Sequence, residues 1–187
     1  MTDRSFRGLF FGLAVAGLLL DQAGKYLVFR LLHNEPPFVV VADVFQLEAN
    51  YIAESGIERP MVNKGALFGF LRDREELANG LFAAISIVAA AAILYWATRR
   101  TTTRDWSLSA ALGLILAGTL GNLYDRLVFA GVRDFLHLHY RQFDWPVFNI
   151  ADTCLVCGAA LLLTQALFSR VPHEKSTLEI RQTVEAK

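Results

Sequence analysis

The segment GVRDFLHLHYRQFDWPVFNIAD, residues 131–152, carries one aspartate near its start, Asp134, and another at its end, Asp152. It lies between two apolar stretches of the chain and is rich in aromatic residues, which concentrate where a protein meets the membrane–water interface. We therefore expect this segment to join two membrane-spanning helices and to hold both carboxylates at one face of a bilayer.

The overall composition also favours a membrane protein. The 187 residues are 54% hydrophobic and 19% charged, with a mean hydropathy of +0.37, which is unlike an ordinary soluble domain. Basic and acidic residues balance at 18 each, and there is no helix-turn-helix or zinc-finger pattern, so we expect no nucleic-acid partner. Cys154 and Cys157 lie in an apolar run without a second C-x-x-C, which predicts small packing residues and no metal site.

Four apolar segments approach or exceed the length needed to cross a hydrocarbon core of about 30 Å. They are residues 6–32, 77–98, 106–124 and 145–169. The sequence therefore predicts a mainly α-helical polytopic membrane protein with a single four-helix domain over residues 1–170. Residues 171–187 are expected to form a polar cytoplasmic tail.

The basic residues that flank these segments predict the orientation of the helices. They lie before the first span, between the second and third, and after the fourth: Arg4, Arg7, Arg99, Arg100, Arg104, Arg170, Lys175 and Arg181. Positively charged flanks stay in the cytoplasm, so both termini are expected inside and the loops 33–76 and 127–144 outside.

The first outer loop, residues 33–76, is too long to be a simple connection. Apolar and polar residues alternate from Phe45 to Tyr51, which predicts a half-buried strand, and MVNKGALFGF after Pro60 predicts a second extended piece. We expect a small extracytoplasmic β-sheet, followed by a short surface helix at residues 71–77.

The ionisable side chains within or beside the spans converge on the outer leaflet. A charge at the bilayer centre costs about 2.5–3.5 kcal/mol on insertion scales, so such residues usually have a function. The convergent residues, together with Asp134 in the outer loop, are Asp21, Lys25, Asp125, Arg126 and Asp152.

Structural explanations are also open for these residues. Asp21 and Lys25 are spaced i, i+4 and can neutralise each other, and Asp152 fits the first turn of a helix. From the residues alone, a two-aspartate catalytic site, a proton- or ion-coupled transporter and a non-catalytic scaffold all remain possible.

Five blocks of sequence occur in order along the chain: DQAGKYLV at 21–28, NKGALFGF at 63–70, GTLGNLYDR at 118–126, GVRDF at 131–135 and FNIAD at 148–152. Together they resemble the signature blocks of the bacterial lipoprotein signal peptidases (signal peptidase II), across the chain up to about residue 168. The resemblance implies a four-helix membrane aspartic peptidase with both termini inside, as the basic residues also predict.

The resemblance assigns Asp134 and Asp152 as the catalytic pair. Two carboxyl groups held close together share a proton, so the ionised one can activate a water while the protonated one polarises the scissile carbonyl. A coupled pair titrates as a unit, and the sequence does not say which acid takes which role.

The resemblance also implies supporting roles for other polar and small residues. Asp21 and Lys25 are expected to form a structural polar pair, and substrate-binding or supporting roles fall to Asn63, Gly65, Asn122, Asp125, Arg126 and Asn149. Two departures from the family pattern, Leu67 and a longer segment at 52–62, affect the outer sheet and not the catalytic pair.

The implied substrates are diacylglyceryl-modified prolipoproteins, which the family cleaves just before the lipid-bearing cysteine. The resemblance implies no metal and no organic cofactor, and inhibition by globomycin-like cyclic peptides. We expect a monomer surrounded by membrane lipids in the bacterial cytoplasmic (inner) membrane, with its active site at the outer face.

Overall fold

The computed structural model describes residues 5–54, 56–65, 75–99, 102 and 104–168. Within these ranges, four helices are long and apolar enough to cross a membrane: α1 (Arg7–Leu31), α2 (Glu75–Ala97), α3 (Trp106–Phe129) and α4 (Ile150–Phe168). The predicted fold class, a mainly helical membrane protein with a small β-sheet element, is confirmed.

Two helix ends differ from the sequence prediction for physical reasons. Helix α3 runs to Phe129, beyond residue 124, because Asp125 is buried and paired and does not end the helix at the interface. Helix α4 begins at Ile150, and Phe148 just before it pairs with Leu136 in an extended conformation. Most of the predicted surface helix at 71–77 lies outside the described residues, and the remainder belongs to α2.

Helix α3 forms the centre of the bundle and packs against α1, α2 and α4. Close approach depends on small residues, as is common between membrane helices. A Cβ at Gly113 would lie 2.7 Å from the carbonyl oxygen of Phe10, and one at Gly118 would lie 2.6 Å from Cγ of Leu155. A buried apolar cluster joins α1, α2 and α3 and is formed by Phe10, Ala14, Ala90, Ile93, Ala97, Leu112 and Leu116.

The β structure consists of an antiparallel four-stranded sheet and a separate hairpin. The sheet has the order β1-β2-β5-β6, with β1 Phe38–Val41, β2 Phe45–Leu47, β5 Leu136–Tyr140 and β6 Phe143–Asp144. The hairpin pairs β3 (Tyr51–Glu54) with β4 (Ile57–Pro60).

Two of the four sheet strands come from the 131–152 segment, for which the sequence predicted an interfacial loop and no strands. The alternation in LHLHY at 136–140 was the available signal, because every second residue is apolar or aromatic. Strand β5 pairs with β2 in the register Gln46 opposite His137.

The sheet is attached to the helices through a second apolar cluster. Its buried members are Val28, Phe29 and Phe135, and the hydroxyl of Tyr51 donates a hydrogen bond to the carbonyl oxygen of Phe29. Because Phe135 directly follows Asp134, this packing holds the segment that carries the first aspartate against the end of α1.

Candidate active site

Asp134 lies between a short backbone pairing and the start of β5. Val132 and Asn63 exchange two backbone hydrogen bonds, with N–O distances of 2.7 and 2.9 Å. The half-buried carboxylate of Asp134 accepts from Asn63 Nδ2 at 3.1 Å and from Asn149 Nδ2 at 2.7 Å. Both oxygens of this carboxylate therefore have a neutral amide donor.

Asp152 occupies the first turn of α4, where it forms a reciprocal cap with Asn149. The backbone NH of Asp152 donates to Oδ1 of Asn149 at 2.9 Å, and the backbone NH of Asn149 donates to Oδ2 of Asp152 at 3.2 Å. This is the pattern of a capping box, in which a side chain at each end satisfies the backbone of the other. Asn149 thus contacts both aspartates and brings them together.

The two carboxyl groups lie in different electrostatic surroundings. Burial and, to a smaller extent, the nearby charge of Asp152 together raise the pKa of Asp134 to about 6. Asp152 lies at a helix N-terminus, where the helix dipole favours an anion. Of the two acids, Asp134 therefore has the surroundings that favour the protonated form.

Asn122 of α3 fixes Asp152 from the opposite side. Its Nδ2 donates to Oδ1 of Asp152 at 2.8 Å. Its Oδ1 accepts from Lys25 Nζ and from Asn149 Nδ2, each at 3.2 Å. Since two donors face the oxygen of Asn122, its amide group has one favourable orientation, with the NH₂ group toward Asp152.

Asp21 and Lys25 form the expected ion pair, but within a larger buried cluster. Lys25 Nζ lies 2.8 Å from Oδ2 of Asp21 and 3.5 Å from Oδ2 of Asp125, and all three side chains are fully buried. Asp125 is also paired with Arg133, whose Nη2 lies 2.8 Å from Oδ1. Two acids and two bases together leave the cluster formally neutral, which buried charges require.

Arg133 and Gln22 are members of this network that sequence reasoning did not single out. Gln22 Nε2 donates to Asp21 Oδ2 and to the carbonyl oxygen of Gly121, both at 3.0 Å, and Gln22 Oε1 accepts from Arg133 Nη2 at 3.2 Å. Each residue is adjacent to a predicted site residue in the chain. Their pairing across distant segments has no signature in sequence spacing.

Arg126 and Gly65 lie at the edge of the site. Arg126 Nη1 donates to the carbonyl oxygen of Asn122 at 3.3 Å, and its buried Nε has no partner among the described residues. The backbone NH of Gly65 donates to Oδ1 of Asn63 at 2.9 Å, which turns the Asn63 NH₂ group toward Asp134. Gly65 has a φ of 88°, and a Cβ there would run into the ring of Phe82.

Two cavities meet the pair of aspartates from different sides. The outer one has a volume of about 640 Å³ and is lined by Asp134 together with residues of the outer loops, among them Glu48, Ile52, Met61, Asn63 and Lys64. The inner one has a volume of about 270 Å³, lies between α2, α3 and α4, and is lined by Asp152, Asn122, Arg126 and Phe82. In the described part of the chain, no three His, Cys, Asp or Glu side chains are arranged to hold a metal ion.

Four helices long and apolar enough to span a membrane, with two acids joined by one asparagine, fit the class of polytopic membrane enzymes of the aspartic peptidase type. Comparison with known proteins identifies the family within this class. The family model described as "Signal peptidase (SPase) II" matches residues 13–168.

Curated relatives and solved structures agree with this match. A protein named "Lipoprotein signal peptidase" from Aeromonas hydrophila is 35% identical over 81% of this chain and 83% of its own length. A protein of the same name from Rhodopirellula baltica is 43% identical over 84% of this chain and 71% of its own length. A solved bacterial membrane enzyme superimposes with a TM-score of 0.73 at 25% identity, covering 94% of this chain and 97% of its own.

This chain belongs to the signal peptidase II family. It is an aspartic-type endopeptidase that acts in lipoprotein processing in a bacterial membrane. The resemblance drawn from the five sequence blocks is confirmed, and the transporter and scaffold alternatives are set aside.

Proposed function

We propose that this enzyme removes the signal peptide from diacylglyceryl-modified prolipoproteins by cleaving just before the lipidated cysteine, with Asp134 and Asp152 as its catalytic pair. The observation that carries the proposal is the position of Asn149, which contacts both carboxylates. Paired acids that share a proton are the chemistry of aspartic peptidases.

The surroundings of the two acids suggest how the roles divide. Asp152, with the helix dipole behind it, takes a proton from the attacking water, and the protonated Asp134 donates a hydrogen bond to the scissile carbonyl oxygen. In the second step the peptide C–N bond breaks, and the leaving amine receives a proton from the pair. Because water supplies both the hydroxyl and the proton, the pair returns to its starting state.

The two cavities suggest how the substrate lies. Helix α2 packs against α3 and is separated from α4 by the inner cavity, which would take substrate from within the bilayer. The signal helix and the acyl chains can stay in the membrane while the residues after the cysteine enter the outer cavity beside Asp134. Globomycin-like cyclic peptides would compete for this space. We also propose that the enzyme acts as a monomer in contact with membrane lipids.

The orientation proposed from the basic residues fits the location of the site. Arg99 and Arg104 lie between α2 and α3, at one end of these helices. Asp134 follows the other end of α3, and Asp152 is hydrogen-bonded to Asn122 in the half of α3 nearer that end. With both termini in the cytoplasm, a single peptidase domain in the inner membrane would present its acids at the outer face.

The proposal is tested with Asp134→Asn and Asp152→Asn, assayed in detergent on a lipidated prolipoprotein with mass-spectrometric identification of the new N-terminus. We expect either change to lower kcat at least about 100-fold, as is typical for loss of a general acid or base. Asp43→Asn is the matched control, because Asp43 is exposed in the turn between β1 and β2 with a φ of 58° that asparagine also adopts. Normal processing by both site variants, or cleavage at another bond, would refute the proposal.

A further inference from the structure

Arg133, immediately before Asp134, is a large charged side chain that is almost fully buried, with 2% of its surface exposed. Its Nη2 and Nε bind the two oxygens of Asp125 at 2.8 and 3.1 Å, and Nη2 also donates to Oε1 of Gln22 at 3.2 Å. Its backbone NH donates to Asp125 Oδ2 at 2.9 Å. Asp125 therefore holds this one residue by main chain and side chain together.

Two aromatic rings contact the same guanidinium. Cζ of Arg133 lies 3.9 Å from the ring centroid of Phe129 in α3 and 4.4 Å from that of Tyr26 in α1. The two rings also contact each other, with centroids 6.3 Å apart, so the cation packs against a continuous aromatic surface that limits its movement. The arginine thus connects α1, α3 and the loop that follows α3.

The residue before the second aspartate is anchored to the same ion cluster. The backbone NH of Ala151 donates to Oδ1 of Asp21 at 2.8 Å, and Asp21 is paired with Lys25 at 2.8 Å. The main chain is therefore held one residue before Asp134 and one residue before Asp152.

We infer that Arg133 is a positioning residue for the reaction, which fixes the main chain so that the Asp134 carboxylate lies where it can share a proton and a water with Asp152. The inference rests on the proposed function of the two acids. An arginine suits this task because its fork of donors binds both oxygens of one carboxylate while further N–H groups remain for Gln22. A lysine carries the same charge but has a single ammonium group, which cannot bind both carboxylate oxygens in this planar geometry.

The test compares Arg133→Met and Arg133→Lys with the wild-type enzyme, using a lipidated prolipoprotein in detergent and counting only folded protein. We expect Arg133→Met to lower kcat about 10- to 100-fold with KM changed less than about twofold, because small misplacements of reacting groups have effects of this size. Arg133→Lys should lie in between. Arg141→Met is the matched control, since Arg141 is exposed on the same outer loop and contacts the ring of Tyr140 at 5.2 Å.

The pH–rate profile separates positioning from simple loss of charge. If Asp134 moves toward water in Arg133→Met, the alkaline limb of the profile shifts to lower pH. Loss of a nearby cation alone would shift that limb to higher pH, and this result would overturn the inference. A folded Arg133→Met enzyme with wild-type kcat would also overturn it. Neither result affects the proposed function, which fails if the Asp134 and Asp152 variants both process substrate normally or if cleavage occurs at another bond.

A second pair of variants covers the case in which Arg133→Met does not fold. Tyr26→Leu removes one aromatic face from the guanidinium, whereas Tyr26→Phe keeps that face and removes only the hydroxyl that lies 2.7 Å from the hydroxyl of Tyr124. We expect Tyr26→Leu to lower kcat about two- to fivefold relative to Tyr26→Phe. Equal kcat values for the two folded variants would contradict the inference.

Discussion

Asn149 donates its side-chain amide to Oδ1 of Asp134 at 2.7 Å, the shortest hydrogen bond that reaches either carboxylate of the pair. The same residue caps α4 and so belongs to the element that carries Asp152. A single side chain thereby sets the distance between an acid from a loop and an acid from a helix.

Replacement of Asn149 by aspartate should abolish most of the activity. The change keeps the size and the cap but replaces the donor to Asp134 with a third negative charge, so we expect kcat to fall at least about 100-fold. The measurement is kcat on a lipidated prolipoprotein. Asn34→Asp is the control, because Asn34 is exposed with a φ of 60° that aspartate tolerates. Similar activity of the two variants would show that the Asn149 amide is dispensable.

The contribution of Asp134 to the stability of the enzyme should fall as the pH rises from about 4 to about 6. Burial raises its pKa in the folded protein from 3.8 to about 6, so in this window the folded state binds a proton that the unfolded state has lost. The free energy of unfolding contributed by this group therefore decreases as the pH rises. Thermal unfolding of wild type and Asp134→Asn from pH 4 to pH 7 should show the variant gaining relative stability across the window. A constant difference would contradict the assignment.

His137 should stabilise the outer sheet with the same sign of pH dependence as Asp134, but in a higher pH range. Its ring lies 2.6 Å from Asp144 Oδ1 and 3.1 Å from Glu48 Oε2, and the hydrogen bond to Asp144 together with these charges raises its pKa above 6.5. Its contribution is complete below pH 6.5 and is lost as the pH rises through the folded-state value.

This pH dependence can be measured by hydrogen exchange of the β5 amides between pH 5.5 and 8.5, after correction for intrinsic exchange rates. Protection should decline with rising pH in the wild type and much less in His137→Gln. Besides the two carboxylates, the groups in contact with the ring are Gln46 Nε2 at 3.0 Å and the ring of His139, whose centroid is 5.2 Å away. His33→Gln serves as the control. His33 Nε2 lies 2.8 Å from Oε2 of Glu58, and neither residue belongs to β5. An unchanged pH dependence in His137→Gln would rule out the histidine as its source.

Gly118→Ala should destabilise the bundle and reduce activity together. A Cβ at this position would meet the carbonyl oxygen of Ala151 and lie 2.6 Å from Cγ of Leu155, so α3 and α4 must separate. Overpacking of this kind costs about 1–3 kcal/mol, and the displaced residue is the one before Asp152. Thermal unfolding and kcat are measured side by side. Gly12→Ala, where nothing lies within 4 Å, should change neither, and equal effects at both positions would contradict this packing.

The sequence predicted the helices well because each one is a long apolar segment, a signal that depends on local composition. It predicted their ends less well because those depend on partners elsewhere. The third span was predicted to end at residue 124, just before Asp125, yet α3 continues because Asp125 is neutralised by Lys25 and Arg133 from other segments. The start of α4 depends on the cap formed by Asn149.

The outer sheet and the buried ion cluster around Asp125 were also predicted incompletely, because both depend on pairing between distant segments. A strand as short as β5 has too few residues for its alternation to stand out from an aromatic interfacial loop. Arg133 was not predicted as a site residue because a charged residue in a loop is expected to be exposed to solvent, and its buried partner Asp125 is known only from the fold. Charge convergence identified the region of the site, and the pairings within it required the fold.

The hairpin β3–β4 begins and ends at nearly the same point, since the backbone NH of Met61 donates to the carbonyl oxygen of Asn50 at 2.7 Å. The chain between them can therefore be lengthened or shortened while its two ends stay in place. Asn63 would keep its pairing with Val132, and the anchors beneath Asp134 and Asp152 lie in α1 and α3, away from the hairpin. Evolution can thus vary the length and side chains of residues 52–60, which stand beside the outer cavity, without altering the spacing of the two acids.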